Sequence, residues 1–406
     1  MSYACKGYTI RIKYNMDVQK VEEVYDQHLR INKTLQIHSG LWPYRPIKEK
    51  LIRRTIVFIM MAIFIFPHIN GMRTWCGKNM DLVLCGENFE GVLYLGVVTL
   101  KYYVTILSEP RIMQIHKQIA KNWSTLTDSE EQSILIKHSK QGKIVTILYL
   151  VYLYAAGFAF SQVSMVPVIL DYIWPLNESR PKILIVHAEY IIDPLQYYFE
   201  LYGAYCILTF VNLTVLISID TAFSSIVYQN LGVFSIVKNR LNAVTKRPNE
   251  KKDNAYELIV GAIRLHNSAL QFNDLIEMSY RKTFLIILGY TILFLSVGGV
   301  ILIEQTNIMQ FIRLAMIEVG VMIHLLYLSY PGQKVLDYSS SICQESYTNE
   351  WYLISKKSKI LLKFMMLRCI KPSVLTAGGL YIMNYENYGI IIKTAMSYVA
   401  VLASFR

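Results

Sequence analysis

The sequence predicts an all-α membrane protein that crosses the bilayer seven times, and three observations lead to this fold class. Only 17% of the 406 residues are charged, whereas soluble domains usually carry about a quarter. Apolar runs long enough to span a bilayer alternate with polar, basic stretches. Lys and Arg are concentrated in alternate connecting segments, which is typical of a chain that passes back and forth across a membrane.

Each predicted span is an apolar run of about 20 residues, the length that crosses the hydrocarbon core. The first run, residues 55–69, is short, but Arg53 and Arg54 at its inner end can reach the interface with their long side chains. The six further runs cover residues 82–107, 144–170, 190–219, 283–303, 311–330 and 381–403.

The orientation follows from the distribution of Lys and Arg, because basic segments stay in the cytoplasm. The N-terminal segment and the segments after helices two, four and six carry 33 of these residues, and the segments on the other side carry 6. This predicts a cytoplasmic N-terminus and an extracellular C-terminus. It also explains the net charge of +12 without nucleic acid, since no basic stripe is interleaved with aromatic residues.

Two inner segments show the periodicity of amphipathic helices. Leu258, Ala262, Leu265, Ala269, Phe272 and Ile276 recur at spacings of four and three, and Tyr347, Trp351, Ile354, Ser358, Leu361 and Met365 form a similar face before Pro372. We predict that these helices pack together as a cytoplasmic extension of the spans. The alternative is that they lie on the lipid headgroups.

The motifs of enzymes are missing from the sequence. We find no phosphate-binding glycine loop, no metal-ligand histidine set and no nucleophile elbow, and therefore expect no catalytic activity, cofactor or metal. Gly378-Gly379 is better explained as a flexible turn. Cys76 and Cys85 flank the first outer loop and either form a disulfide or remain two free thiols.

Charged residues within spans are candidates for function, because burying them in lipid is costly. Glu87 and Glu90 lie near the outer end of helix two, where solvation is expected, and Lys101 near its inner end can reach the interface. Five others have either a partner within the bundle or a role in a pathway: Glu200, Asp220, Glu318, Glu386 and Lys393.

The last predicted helix carries a stripe of mixed polarity. Residues that share a helical face with Val401 are Met383, Asn387, Ile390, Thr394, Ser397 and Phe405. Such a face suits a water-filled pore closed by an apolar constriction. Small polar residues that pack against neighbouring helices would give the same pattern.

The outer halves of helices two to four are rich in aromatic residues and hydroxyls. These candidates for an apolar ligand cavity are Phe89, Leu93, Phe158, Phe160, Ser161, Ser164, Tyr197, Tyr198, Leu201 and Tyr202. An aromatic belt at the membrane interface would have a similar composition. Asn177-Glu178-Ser179 lies in the loop after helix three, on the predicted outer side, and is a candidate glycosylation site.

Several motifs resemble those of the insect odorant receptor family. Gly40-Leu41-Trp42-Pro43 is similar to the family's entry into the first helix, and His266, Phe272 and Ile276 are similar to its stretch before helix five. The tail is the most specific match, through Trp351, Lys359, Lys363, Lys371-Pro372, Leu375-Thr376-Ala377-Gly378 and Ser397-Tyr398. Ser397-Tyr398 and Ser404-Phe405 have the spacing of the Thr-Tyr and Gln-Phe pairs of the related gustatory receptors, with Ser in place of Thr and of Gln.

The resemblance implies a tetrameric, non-selective cation channel in the plasma membrane of olfactory sensory neurons, expected in their dendrites. The cytoplasmic helices, with Tyr347, Trp351, His266 and Phe272, would form the subunit interface, and Val401, Ser404 and Phe405 would lie at the pore and its gate. The odorant pocket would occupy the outer half of the bundle, with a small hydrophobic odorant as ligand and membrane lipid around it. The segment 222–282 lacks the long insertion of the co-receptor (Orco), which implies an odour-tuning subunit that requires Orco as partner.

Two other classes of receptor remain as alternatives. A gustatory receptor channel of the same superfamily differs mainly in the Trp42-Pro43 motif and in the tail. A G-protein-coupled receptor would have a cytoplasmic C-terminus. The sequence also lacks the Asp-Arg-Tyr motif after helix three and the Asn-Pro-x-x-Tyr motif in helix seven.

The predicted organisation therefore has six parts. A cytoplasmic N-terminal segment is followed by helices one to four as a ligand-binding bundle, a cytoplasmic helical loop, helices five and six, a cytoplasmic anchor helix, and the pore-lining helix seven with a short extracellular tail. Their bounds are residues 1–54, 55–222, 223–282, 283–330, 331–372 and 373–406.

Overall fold

Helices dominate the computed structural model, which describes residues 16–78, 81–176, 178–245, 254–348 and 351–404. The first helix, α1, covers residues 16–28 of that part. The others are α2 (Arg30–His38), α3 (Ile47–Met72, continued by a π-helix over Arg73–Lys78), α4 (Leu82–Leu107), α5 (Glu109–Thr125), α6 (Ser129–Ile173), α7 (Tyr198–Thr245), α8 (Asn254–Glu304), α9 (Ile308–Thr348), a 3₁₀ turn (Trp351–Leu353), α10 (Lys356–Cys369) and α11 (Tyr385–Ser404).

Six helices of the described ranges are long and apolar enough to cross a membrane, namely α3, α4, α6, α7, α8 and α9. The seventh predicted span corresponds to α11, whose 20 residues include the polar stripe. The helix α4 begins and ends at the predicted residues. The start of α7 is eight residues later than predicted, because the Asp193 carboxylate accepts a hydrogen bond from the Leu195 amide, 2.9 Å away, in an irregular segment before it.

The first span was predicted to be short, but α3 has 26 residues because it begins at Ile47. Its basic inner end is paired within the protein. The Arg54 guanidinium lies 2.6 Å from the Glu109 carboxylate, which also binds Lys50, and Arg53 lies 3.1 Å from Glu49. These ion pairs replace the contact with the membrane interface that the sequence suggested.

The spans of α6 to α9 continue into the inner segments without a break. The helix α8 has 51 residues. At about 1.5 Å per residue it is roughly 75 Å long, more than twice the ~30 Å hydrocarbon core. The predicted boundaries after residues 222, 282 and 330 therefore fall inside α7, α8 and α9. They mark changes of polarity within continuous helices, and they remain the predicted limits of the membrane-spanning parts.

The inner helices pack on each other in a shared apolar core. Phe234 and Val237 of α7 meet Ala262 and Ala269 of α8 in a cluster that also includes Met365 of α10. The packed arrangement of the segment 258–276 is therefore the one the structure adopts. The second amphipathic segment is not one helix: α9 ends at Thr348, and α10 begins at Lys356 with the Ser355 side chain as its N-terminal cap.

A short β-hairpin precedes α11 and is the one departure from the all-α prediction in the described ranges. Strands β1 (Thr376–Ala377) and β2 (Tyr381–Ile382) pair antiparallel. Gly378 and Gly379 have φ of 65° and 80°, a backbone region that favours glycine. The turn predicted for these glycines is confirmed, and the hairpin delays the start of the last helix to Tyr385.

The N-terminal helices are fixed to the bundle by Trp42. Its ring is buried and contacts the rings of Tyr25 and His116, and its indole N–H donates a hydrogen bond to Glu22 at 3.0 Å. Burial lowers the pKa of His116 to about 3, so this imidazole is neutral in the aromatic cluster. At the predicted outer side, Cys76 and Cys85 form a disulfide.

Candidate functional site

A cavity of about 230 Å³ lies among α3, α4, α6, α7, α8 and α9. It is close to the ends at which α4 and α9 begin, the predicted extracellular side. Aromatic rings form much of its wall, contributed by Phe64, Tyr94, Phe160, Tyr205, Tyr290 and Phe294. Because an apolar cavity of about 150 Å³ can hold benzene, this one has room for a small hydrophobic molecule.

The loop before α7 covers the cavity as a roof. Ile185 and Val186 line it from this side. The Arg313 guanidinium of α9 donates a hydrogen bond to the Ile185 carbonyl at 2.8 Å and lies 2.7 Å from Glu87 of α4. His187 contacts the same carboxylate at 3.2 Å. The prediction that Glu87 is solvated is therefore wrong: its carboxylate is buried and holds the roof to two helices.

A buried polar network lies below the cavity. The Lys101 ammonium of α4 is 2.6 Å from the Asp220 carboxylate of α7. The same carboxylate accepts a hydrogen bond from the Tyr149 hydroxyl at 3.0 Å and contacts His324 Nε2 at 3.0 Å, and His324 also lines the cavity. Lys101 has an exposed fraction of 0%, so it does not reach the interface as predicted. Its partner lies more than 100 residues away in the sequence.

Two further carboxylates lie close together beside the cavity, next to Gly298 of α8. Glu90 of α4 is 4% exposed and lines the cavity, and Glu318 of α9 is also buried. A Cβ at Gly298 of α8 would overlap Glu318 Oε1 and lie 2.5 Å from Glu90 Oε1. The prediction of a solvated Glu90 is therefore also wrong. The other charged candidates, Glu200, Glu386 and Lys393, are exposed.

Of the ten predicted ligand residues, Phe160 lies in the cavity wall, and Tyr197, which is 42% exposed, does not. Phe158 is 68% exposed, which corrects its assignment to the cavity and fits a side chain that faces lipid. Phe89, Leu93 and Leu201 do not line this cavity either. The rings of Tyr94, Tyr290 and Phe294 line it instead, and periodicity does not identify them, because these helices are apolar on every face.

The remaining predicted ligand residues connect α6 to α7 and to the roof. The Tyr198 hydroxyl contacts the Ser164 hydroxyl at 3.0 Å and the Ile183 carbonyl at 3.1 Å. The Tyr202 hydroxyl accepts a hydrogen bond from Gln162 at 2.9 Å, and Ser161 donates to the Phe158 carbonyl. The hydroxyls of these four residues have partners within the protein, and the residues do not line this cavity.

The helix α11 packs through one face and leaves the other open. Ile391, Ala395 and Val399 are buried against the bundle. The predicted pore residues Ile390, Ser397, Val401 and Ser404 are exposed, and Thr394 is partly exposed. The hydroxyls of Thr394 and Ser397 donate to carbonyls one turn earlier, at 2.8 and 2.9 Å, so the polar groups of this face have partners.

Three residues of the predicted stripe differ from these. Met383 is buried beneath the hairpin, so it is not on the open face. The Asn387 amide donates a hydrogen bond to the Ile382 carbonyl at 2.8 Å and holds the start of α11 to β2. Phe405 lies outside the described residues, as does the glycosylation candidate Asn177.

The segment predicted as the cytoplasmic anchor presents exposed apolar residues. We call the exposed side chains at the end of α9, in the 3₁₀ turn and on α10 the anchor surface: Tyr347, Trp351, Tyr352, Leu353, Ile360, Phe364, Leu367 and Ile370. Two predicted interface residues are not part of it. His266 and Phe272 are 3% and 2% exposed, which corrects their assignment, because they pack inside this chain. His266 Nε2 lies 3.9 Å from Cys369 Sγ.

Comparisons with known proteins agree on one family. The family described as 7tm Odorant receptor matches residues 89–396. Odorant receptor 22b of Drosophila melanogaster is 20% identical over 92% of this chain and 88% of its own, and Odorant receptor 22a of the same species is 22% identical over 42% and 43%. The insect olfactory receptor OR5 of Machilis hrabei, solved in complex with eugenol and without it, has the same fold. The TM-scores are 0.75 and 0.74, at 14% identity over 95% of this chain and 100% of the other.

Proposed function

This chain belongs to the insect odorant receptor family, and from that premise we propose that it is the odour-tuning subunit of a cation channel. It binds a small volatile or hydrophobic odorant and opens a non-selective pore in a heterotetramer with the co-receptor Orco. It acts in the plasma membrane, in the dendrites of olfactory sensory neurons, with its N-terminus in the cytoplasm and its C-terminus outside.

The cavity of about 230 Å³ is the observation that carries this proposal. Small-molecule sites are concave and mostly apolar, with a few polar groups, and this cavity has that character. Its roof is one loop held by Arg313 and Glu87, so a ligand can enter when these contacts open. The buried network around Asp220 lies between the cavity and the inner helices, where it couples ligand contacts to the rest of the bundle.

Assembly is supported by the anchor surface. Large exposed apolar surfaces usually mark a contact with another protein or a membrane. Phe364 is 65% exposed on α10, which follows the long cytoplasmic extension of α9. Because α10 follows that extension, we infer that contact with neighbouring subunits buries these side chains.

The open face of α11 is suited to line the pore. Because the buried face holds this helix to its own subunit, Val401 and the hydroxyls of Thr394 and Ser397 are left to face a central axis. Phe405 and Ser404 remain the proposed neighbours of Val401 at the gate. Asn177 remains the proposed glycosylation site.

Expression with Orco in cells, with an epitope tag after Arg406, tests the function. We expect staining of intact cells and cation currents in response to at least one compound of a panel of small hydrophobic odorants. Cells that express Orco alone are the control. A receptor that stains at normal density and passes no current with any compound would contradict the proposal, and staining only after permeabilisation would contradict the orientation.

The gate is tested by Val401→Gln in the same cells. A polar side chain in an apolar constriction favours the wet, conducting state, so we expect a moderate rise in basal current or altered ion permeability. Odour potency should change little. The effect on the current is moderate because the Orco subunits keep their own gate residues. Met396→Gln is the matched control, because Met396 is exposed but lies about 140° around the helix. Equal permeation in both variants at normal surface density would exclude this face from the pore.

A further inference from the structure

We propose that the cavity selects ligands with a protonated amine, which binds between the carboxylates of Glu90 and Glu318. This inference deepens the proposed function and rests on it. A ligand of this class is a small aliphatic or aromatic amine, whose hydrocarbon part fills the aromatic cavity and whose ammonium group meets the two acids.

The carboxylates of Glu90 and Glu318 lack a counter-ion among the described residues. Glu90 Oε1 is buried and has no hydrogen-bond partner among the described residues. Neither Glu90 nor Glu318 forms an ion pair in the described part of the chain. Arg313, which also faces the cavity, is engaged with Glu87 at 2.7 Å and with the Ile185 carbonyl at 2.8 Å. The Thr209 hydroxyl, which also lines the cavity, is a second buried polar group without a partner.

The closeness of these two acids favours a bound cation. The two carboxylates approach each other over Gly298, where a Cβ would occupy the space of their oxygens. Two adjacent carboxyl groups in one apolar site avoid charge by keeping their protons, and they ionise at low cost only when a cation is bound between them. An uncompensated charge is costly in a cavity walled by hydrocarbon. A bound cation removes that cost.

The composition of the cavity wall favours an organic ammonium group over a metal ion. A hard metal ion needs about six or more oxygen ligands, and most of this wall is apolar. A primary ammonium has three N–H donors, of which two suit the two carboxylates. The rings of Tyr94, Tyr290 and Phe294 line the same cavity and favour a cation over their faces. A neutral alcohol of the same skeleton has one donor and brings no positive charge to pair with the carboxylates.

Matched pairs of compounds test this selectivity in cells that express the chain with Orco. Hexylamine is compared with 1-hexanol, and benzylamine with benzyl alcohol, through the concentration that gives half-maximal current. Because charge-assisted hydrogen bonds are about twice as strong as neutral ones, we expect the amines to be at least about tenfold more potent. Glu90→Gln and Glu318→Gln, which keep the side-chain size, should each remove this difference and retain the response to alcohols. Glu200→Gln, at an exposed position of α7, should leave it unchanged.

The outcomes separate this inference from the proposed function. Equal potency of amines and alcohols in the unmodified receptor would overturn the inference, while currents with neutral odorants would still support the function. An equal loss for both classes in both variants would show a structural role and also overturn it. If no compound gives a current, the melting temperature of the purified chain with and without benzylamine decides. A rise that Glu90→Gln removes supports the amine site, and no rise overturns it.

Discussion

Replacing Asp220 by alanine should remove most of the folded receptor from the cell surface. Lys101 would keep its ammonium group in the interior, where its side chain is 0% exposed and Asp220 at 2.6 Å is its counter-ion. Breaking a buried ion pair costs about 3–5 kcal/mol, a large part of the total stability of a typical protein. Tyr149 and His324 would also lose their shared partner. Surface staining and gel filtration in detergent after heating measure the effect.

Two variants serve as controls for Asp220→Ala. Glu200→Ala removes an exposed carboxylate from the same helix and should behave like the unmodified chain. The double variant Lys101→Met, Asp220→Asn removes both charges and should recover much of the lost stability, because an apolar replacement of a buried pair is often nearly neutral. If Asp220→Ala is as stable as Glu200→Ala, the ion pair does not hold the bundle together.

Phe364→Glu should abolish assembly with Orco while the subunit itself still folds. The ring is 65% exposed in the single chain, so the substitution leaves the core of the anchor intact. In a subunit contact it would place a carboxylate in an apolar interface, which is costly without a partner. Trp351→Ala should weaken assembly in the same way, since this ring is 37% exposed. Co-purification with tagged Orco, compared with the amount of folded monomer, measures the effect.

Tyr172→Glu is the matched control for the anchor surface. Tyr172 is 91% exposed at the C-terminal end of α6, and it is not part of the anchor surface. This variant should co-purify with Orco at the normal level. Normal co-purification of Phe364→Glu would show that α10 is not in the subunit interface. Loss of the folded monomer would show that Phe364 supports the fold of its own chain.

The sequence alone was sufficient for the fold class and for most of the helices. Spanning segments are local in sequence, because a run of about 20 apolar residues crosses the bilayer wherever its neighbours lie. For this reason α4 could be predicted to the residue, and the glycine turn at Gly378 was recognised from its own composition. The periodicity from Leu258 to Ile276 similarly identified a packed inner helix.

Only the tertiary structure decided which face of each helix meets which neighbour. In a bundle whose helices are apolar on all sides, periodicity does not separate a lipid-facing ring such as Phe158 from a cavity ring such as Tyr290. Charged residues within the spans were visible in the sequence, but their partners were not. Lys101 and Asp220, or Glu90 and Glu318, come together from helices that are distant along the chain, because helix packing is a non-local property.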